Sequence, residues 1–98
     1  MSSRLLTQIQ TLIMLGDYGF TQHAIDEMAK DFLTIDDIEH AVLNGIITKT
    51  ETGDRRGARY TIVGPDSRVQ MEVGVVGRFA RLHSYLIITA YEVTERHE

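Results

Sequence analysis

The sequence predicts an α+β domain, with N-terminal helices packed on one face of a four-stranded antiparallel sheet. Apolar residues recur at spacings of three and four as far as Gly45, and beyond it they alternate with polar ones and become β-branched. The strands are joined by short connections, which favours antiparallel pairing. At 98 residues the chain has the size of a single domain over 1–98, helical over about 3–45 and sheet over about 46–93.

Two amphipathic helices are expected before residue 31. The first runs from Ser3 to about Leu15 and is ended by Gly16. The second is capped by Thr21, whose hydroxyl can accept a hydrogen bond from a first-turn amide, and runs to about Lys30. Its apolar positions predict that three side chains point inward: Ile25, Met28 and Phe32.

A third helix is expected to begin at Thr34. Thr34 and Asp37 have the spacing of a capping box, with Asp in place of the usual Glu. Asn44 and Gly45 end the helix, since glycine suits the left-handed C-terminal position. The apolar positions predict that four residues are buried: Ile35, Ile38, Ala41 and Val42.

Four strands are expected in the second half of the chain. They cover residues 46–51, 58–63, 69–75 and 85–93. Glycine-containing segments at 53–57, 64–67 and 77–84 are predicted to be turns or loops. Because Leu86, Ile87 and Ile88 are consecutive apolar residues, the last strand is predicted to be an interior one.

Composition and charge narrow the function classes. The chain has no cysteine, which excludes disulfides and thiolate metal sites and fits a cytoplasmic location, and no apolar run long enough for a membrane span. Its net charge of −4 argues against a strongly basic nucleic-acid binder. The charge is uneven, however, at −6 over residues 1–54 and +2 over residues 55–98, where every basic residue is arginine.

Alternation along the strands places a polar set on the face away from the helices, provided that Tyr60, Ile62, Met71, Val73, Leu86 and Ile88 are in the core. The outward residues are then Arg59, Thr61, Gln70, Glu72, Thr89 and Tyr91. This set is suited to RNA cleavage by a ribose 2′-hydroxyl, with Glu72 as base, Arg59 as the cation on phosphate and His23 or Tyr91 as acid. A merely solvated sheet face collects the same residue types.

Other kinds of site have weaker support. His23 and Glu27 are four residues apart on one helical face, but two ligands without a third partner do not predict a metal site. No nucleophile elbow, phosphate loop or dinucleotide fingerprint occurs. We therefore expect neither a metal nor a cofactor.

Several motifs together resemble one known family. They are Phe20-Thr21-x-His23-Ala24-x-x-x-Met28, Thr34-x-Asp36-Asp37-Ile38-x-x-Ala41-x-x-Asn44-Gly45, Arg56-Gly57 before Tyr60, and Ile87-Ile88-Thr89-Ala90-Tyr91. In this order they resemble the domain of unknown function 4258 family, over about residues 18–93. The resemblance implies a barnase/RelE-like nuclease fold in a small prokaryotic protein. It also implies a toxin-like RNA endonuclease that pairs with an antitoxin-like protein.

The resemblance also carries residues over by position. His23, Arg56 or Arg59, Thr89 and Tyr91 fall on family positions. With Glu72 added from the open face, the expected catalytic set is His23, Arg59, Tyr91 and Glu72, and the expected RNA contacts are Arg55, Arg56 and Thr89. Glu27 stands where the family usually has arginine. That departure leaves open an RNase-like site that has lost activity. It equally leaves open a non-catalytic interaction module that forms a homodimer or binds a protein partner.

Overall fold

The protein folds into three helices and one five-stranded sheet, as seen in a computed structural model that describes residues 4–81 and 83–93. The elements are α1 (Arg4–Leu15), β1 (Tyr18–Phe20), α2 (Gln22–Lys30), α3 (Ile35–Leu43), β2 (Ile46–Glu51), β3 (Arg59–Pro65), β4 (Glu72–Ala80) and β5 (Ser84–Val93). The predicted α+β class is confirmed. Among the described residues, no helix combines the length and the apolar character needed to cross a membrane.

The sheet is mixed, with the strand order β1-β5-β4-β3-β2. The four strands from β2 to β5 are antiparallel, but β1 pairs with β5 in parallel, so the prediction of a purely antiparallel four-stranded sheet is wrong. β1 has only three residues, too few to show an alternating pattern. As predicted, β5 is an interior strand.

Local hydrogen bonds set the ends of α1 and the start of α2. Gly16 has a φ of 78°, and its amide and that of Asp17 donate to the carbonyls of Ile13 and Leu12, which ends α1 in a Schellman motif. The Thr21 hydroxyl accepts from the Ala24 amide at 3.1 Å, so the predicted cap is confirmed. That hydroxyl also donates to the Ile88 carbonyl at 2.9 Å, which ties α2 to β5.

The predicted capping box of α3 is confirmed, and it does more than cap. The Asp37 carboxylate accepts from the Thr34 amide at 2.9 Å, and from the Ser67 amide at 3.0 Å and hydroxyl at 2.6 Å. Burial alone would raise the pKa of Asp37, but the hydrogen bonds from Ser67 and Thr34 outweigh it and lower the pKa to about 2. The start of α3 is therefore fastened to the turn between β3 and β4.

Gly45 follows α3 for a different reason from the one predicted. It does not adopt the left-handed conformation, and a Cβ atom there would overlap the carbonyl oxygens of Ala41 and Val63. Gly64 on β3 meets the same Ala41 carbonyl. The two glycines let the end of α3 approach the sheet at backbone distance.

The core fills the space between the three helices and one face of the sheet. The buried predictions are confirmed for Met28, Ile38, Ala41 and Val42, but Ile25, Phe32 and Ile35 are wrong, since their side chains are 48%, 89% and 53% exposed. α2 is short and reaches the core through Ala24 and Met28. Leu33, one residue beyond Phe32, takes the core position instead.

The predicted boundaries of β3 and β4 were wrong. β3 continues through Gly64 to Pro65, and the turn occupies residues 66–71, where the buried Asp66 carboxylate accepts from the amides of Gln70 and Met71. β4 continues through Gly77, which lies beneath the ring of Tyr85. Since β4 extends to Ala80 and β5 begins at Ser84, most of the loop predicted at 77–84 is strand.

The face of the sheet away from the helices is called the open face. Each helix contributes buried residues to the same core cluster, so within residues 4–81 and 83–93 no helix covers that face. A bulge at Ile88 changes the alternation of β5: Ile87 and Ala90 are in the core, whereas Thr89 and Tyr91 pair with outward residues of β4. Leu86 and Ile88 are not core residues, contrary to the prediction.

Candidate functional site

The strand register arranges the open face in rows that run across the sheet. Residues that pair between neighbouring strands point to the same side, so each row can be read from the pairing. The row Lys49, Thr61, Val76 and Thr89 is followed toward the β3–β4 turn by the row Val63, Gly74 and Tyr91 and then by the row Pro65, Glu72 and Val93. Toward the opposite end lie Glu51 and Arg59 on β2 and β3, and Arg78 on β4.

Arg59 has an unsatisfied donor at this last end of the face. Its Nε atom is buried and has no hydrogen-bond acceptor in the described part of the chain. Its guanidinium lies 3.5 Å from the Glu51 carboxylate, which also lies 3.5 Å from the Lys49 ammonium. Half-exposed ion pairs of this length contribute about 0–1 kcal/mol each. An incoming anion can therefore take the place of Glu51 at low cost.

Arg78 adds a second guanidinium that the sequence analysis missed. The β3–β4 pairing ends at Tyr60 and Gly77, so Arg59 and Arg78 are the next residues of the two strands, one position beyond the last pair. Arg78 forms no ion pair within residues 4–81 and 83–93. The sequence predicts a loop from Gly77 to Ser84, which includes Arg78. The pairing of Glu51 with Arg59 depends on the β2–β3 register, which strand periodicity does not give.

The loop before β3 holds two more arginines. The Asp54 carboxylate accepts from the side chain of Arg56 at 3.1 and 3.2 Å and from its amide at 2.8 Å. These hydrogen bonds lower the pKa of Asp54 to about 2 and raise that of Arg56. Arg56 is thus engaged by Asp54, whereas Arg55 is exposed and makes no ion pair among the described residues.

These residues form a single cluster, which we call the basic corner. It consists of Lys49, Arg55, Arg56, Arg59 and Arg78 together with Glu51 and Asp54. Asp54 is close enough to Arg59 for its pKa to be lowered by that charge as well. Five cations against two carboxylates give the corner a balance of +3, in a chain whose net charge is −4. The corner is suited to bind an anion.

Tyr91 and Thr89 lie on the open face, as predicted, but away from the basic corner. Tyr91 pairs with Gly74, and its ring covers that glycine so closely that a Cβ atom at residue 74 would overlap it. Thr89 lies one row nearer to the corner, opposite Val76. The Tyr91 hydroxyl makes no hydrogen bond within the described ranges, so it is available to a ligand.

Glu72 is not brought to Arg59. It is exposed and pairs with Pro65, which is six residues along β3 from Arg59. At about 3.3 Å per residue the two side chains start about 20 Å apart. Strand alternation puts both residues on the same face but gives no position along the strand, so it cannot separate them. One phosphate cannot contact both residues.

His23 lies in the layer of helices. It is exposed in the first turn of α2, whose buried residues Ala24 and Met28 face the core. Over residues 4–81 and 83–93, no hydrogen bond or ion pair connects His23 with Arg59, Tyr91 or Glu72. Glu27 is paired at 3.6 Å with Lys30 on the same helix.

No group of three or more histidine, aspartate or glutamate side chains in the described part of the chain is arranged to hold a metal ion. A groove of about 640 Å³ lies on the helix side of the sheet. Its lining is largely apolar and consists of Leu5, Thr7, Gln8, Thr11, Leu12, Tyr60, Phe79, Ala80 and His83. The groove is separate from the basic corner and contains no charged pair that would support catalysis.

Comparison with known proteins relates the chain to one family. The sequence pattern of the family described as Domain of unknown function (DUF4258) matches residues 20–92. The curated proteins and the solved structures give no match. The matched segment runs from the last residue of β1 to the penultimate residue of β5 and includes every residue of the basic corner, Tyr91 and His23. Because the match covers most of the sequence, the chain belongs to the DUF4258 family.

Proposed function

We propose that this domain binds RNA on the open face and cleaves it without a metal ion, as a toxin-like endonuclease. The observation that carries the proposal is the buried, unsatisfied Nε of Arg59 beside Glu51 and Arg78. A phosphate that takes the place of Glu51 would accept from the half-exposed guanidinium, whose planar shape matches phosphate geometry. Helices followed by a sheet with one uncovered face also support the barnase/RelE-like fold that the family resemblance implies, and that fold is part of the proposal.

The basic corner supplies the groups that ribose-assisted cleavage requires. Glu51, a carboxylate 3.5 Å from Arg59, would take the proton of the 2′-hydroxyl as its oxygen attacks phosphorus. Arg59 and Arg78 would stabilise the added negative charge on the phosphate oxygens. The bond from phosphorus to the 5′-oxygen breaks, and Lys49, 3.5 Å from the same carboxylate, would protonate that oxygen. The products are a 2′,3′-cyclic phosphate and a free 5′-hydroxyl.

Roles change from those that the sequence suggested. Glu51 replaces Glu72 as the base. At about 3.3 Å per residue, the backbone of Glu72 lies about 20 Å along the strand from that of Arg59. Lys49 replaces His23 and Tyr91 as the acid, since His23 lies on α2 and Tyr91 lies two rows from Arg59. Arg55 and Arg56 remain RNA contacts next to the reacting phosphate, and Thr89 remains a contact one row beyond it.

Cleavage of a fluorescent RNA in the presence of a chelator tests the proposal. Glu51→Gln should slow cleavage by at least about 100-fold while RNA is still bound, because the base is lost. Arg59→Ala should weaken binding by about 10-fold or more. Glu72→Gln is the matched control, the same substitution on the same face, and should change neither.

Three results would contradict the mechanism. Wild-type protein that fails to cleave RNA would exclude the nuclease. Cleavage of equal rate in the wild type and Glu51→Gln would point to a contaminating enzyme. An equal loss in Glu72→Gln and Glu51→Gln would show that general charge, and not the corner, is responsible.

A second candidate function, a protein-interaction module, is favoured by the exposed face of α2. Ile25, Ala29 and Phe32 have helical spacing and are all exposed. Residues 22–37 carry five acids and one lysine, so two copies of the chain meeting through this face would bring like charges together. The occupant that fits is an amphipathic segment with basic flanks, which would be the chemistry expected of an antitoxin-like partner.

The interaction candidate has its own test. A labelled helical peptide of leucine and lysine in amphipathic order should bind in a salt-sensitive manner, and a scrambled peptide of equal composition should bind less. Phe32→Gly should reduce the preference for the amphipathic peptide because the ring is lost while the helix end is retained. If both peptides bind equally, or if Phe32→Gly leaves the preference intact, this candidate is excluded.

A further inference from the structure

The tyrosine that covers Gly74 suggests what kind of RNA the open face takes. Tyr91 lies opposite Gly74 in the β4–β5 ladder, and the far end of its ring rests on the glycine backbone. Any side chain at residue 74 would displace that ring. One face of the ring is thus against β4, and the other is turned away from the sheet on the side that no described helix covers.

The same arrangement occurs on the core face with a different environment. Tyr85 covers Gly77 of β4, and its ring is 1% exposed because Phe79 packs edge-on at 5.5 Å and the core surrounds it. On the core face, therefore, the tyrosine that covers a glycine serves to fill the core. On the open face Tyr91 has the same support from below, but no aromatic ring contacts it from above within the described residues.

We infer that Tyr91 is a stacking platform for an unpaired nucleobase, so that the ligand of the open face is single-stranded RNA. This inference rests on the proposed function. A tyrosine ring backed by a sheet can stack any base, whereas bases inside a duplex are already stacked and paired. The platform lies two rows from Arg59, about 13 Å along the strands. A strand bound with its phosphate at the basic corner therefore extends across Thr89 to place a neighbouring base on Tyr91.

Binding of two matched RNAs tests the inference. A fluorescein-labelled 2′-O-methyl RNA cannot be cleaved through its 2′-oxygen, so the wild type can be used, with the strand either single or annealed to its complement. The single strand should bind more tightly. Tyr91→Leu, which keeps an apolar cover on Gly74 but removes the aromatic face, should weaken single-strand binding by roughly 5- to 150-fold. Duplex binding should stay unchanged, and Tyr91→Phe should behave as the wild type.

A second measurement separates stacking from a structural role of Tyr91. Abasic sites in the RNA should remove the difference between the wild type and Tyr91→Leu, which damage to the sheet would not do. Equal binding of single strand and duplex, or no effect of Tyr91→Leu while Arg59→Ala still weakens binding, overturns the inference and leaves the proposed function standing. No RNA binding by the wild type overturns both.

Discussion

Phe32 combines an unfavourable backbone conformation with very little burial. It occupies the left-handed position after α2, with a φ of 55°, where the Leu33 amide donates to the Met28 carbonyl at 2.8 Å. Glycine is usual at this position, and an L-residue there costs about 1–2 kcal/mol. The ring is 89% exposed, so its burial does not offset that cost. In the isolated domain Phe32 is therefore destabilising. This is the physical reason to consider that the exposed face of α2 binds a protein partner.

Replacing Phe32 by glycine should therefore stabilise the domain. Glycine removes the cost of the left-handed conformation, which stabilises the folded state. Glycine also has more conformational freedom in the unfolded chain, which offsets part of that gain. We expect the free energy of unfolding to rise by about 0.5–1 kcal/mol. Phe32→Ala keeps the penalty and should leave that free energy nearly unchanged. Urea unfolding of the three proteins measures this. Equal stability of the glycine and alanine variants would contradict the backbone explanation.

At the scale of elements, the helices were predicted more closely than the strands. Thr21, Thr34 and Gly16 give local signals because a helix end is decided by hydrogen bonds within a few residues. The strand ends depend on pairing partners distant in sequence. Gly77 lies within β4, where the ring of Tyr85 occupies the space that a side chain would need. The residues next to Gly77 in the sequence do not indicate this contact.

The candidate site was predicted only in part, because strand pairing between residues distant in sequence also decides which of its side chains meet. Alternation placed Arg59 and Thr61 on the open face, as the register shows. Tyr91 is also outward, as predicted, although Leu86 was wrongly predicted to be in the core. The bulge at Ile88 shifts the alternation of β5 by one residue, so the prediction is right for Tyr91 and wrong for Leu86. Register decides which outward residues meet: it separates Glu72 from Arg59. Glu51 and Arg78, which it places beside Arg59, could not be found from strand periodicity.

The link between α3 and the β3–β4 turn predicts how stability depends on pH. The folded-state pKa of Asp37 is about 2, below the ordinary 3.8, so its contribution is complete above about pH 5 and is lost as the pH falls toward 2. Since the side chain is 6% exposed, that contribution is on the order of 1–2 kcal/mol.

Thermal unfolding of Asp37→Asn tests this link. The variant should be less stable than the wild type at pH 7, and the difference should narrow between pH 4 and pH 2. The adjacent Asp36 is exposed in the same helical turn and provides the control, because Asp36→Asn should show a smaller loss. A constant difference across this range for Asp37→Asn would mean that its charge is not what fastens α3 to the turn.

For the molecule as a whole, the charge distribution limits how RNA can be held. The basic corner has a balance of +3, whereas the entire chain has −4, so most of the remaining surface repels phosphate. Contact should be confined to a few phosphates at the corner. Binding is then expected to be weaker and less sensitive to salt than that of a protein with a broad basic surface.

The salt dependence of binding measures the number of those contacts. For single-stranded nucleic acid, the slope of log K against log salt concentration is about −0.7 for each phosphate neutralised. Arg78→Ala should make the slope shallower by about 0.7 if this side chain holds one phosphate beside Arg59. Arg68 is the matched control, since it is exposed in the β3–β4 turn at the other end of the face, and Arg68→Ala should leave the slope unchanged. Equal changes in the two variants would mean that RNA responds to the total charge of the chain and that the corner has no special part in binding.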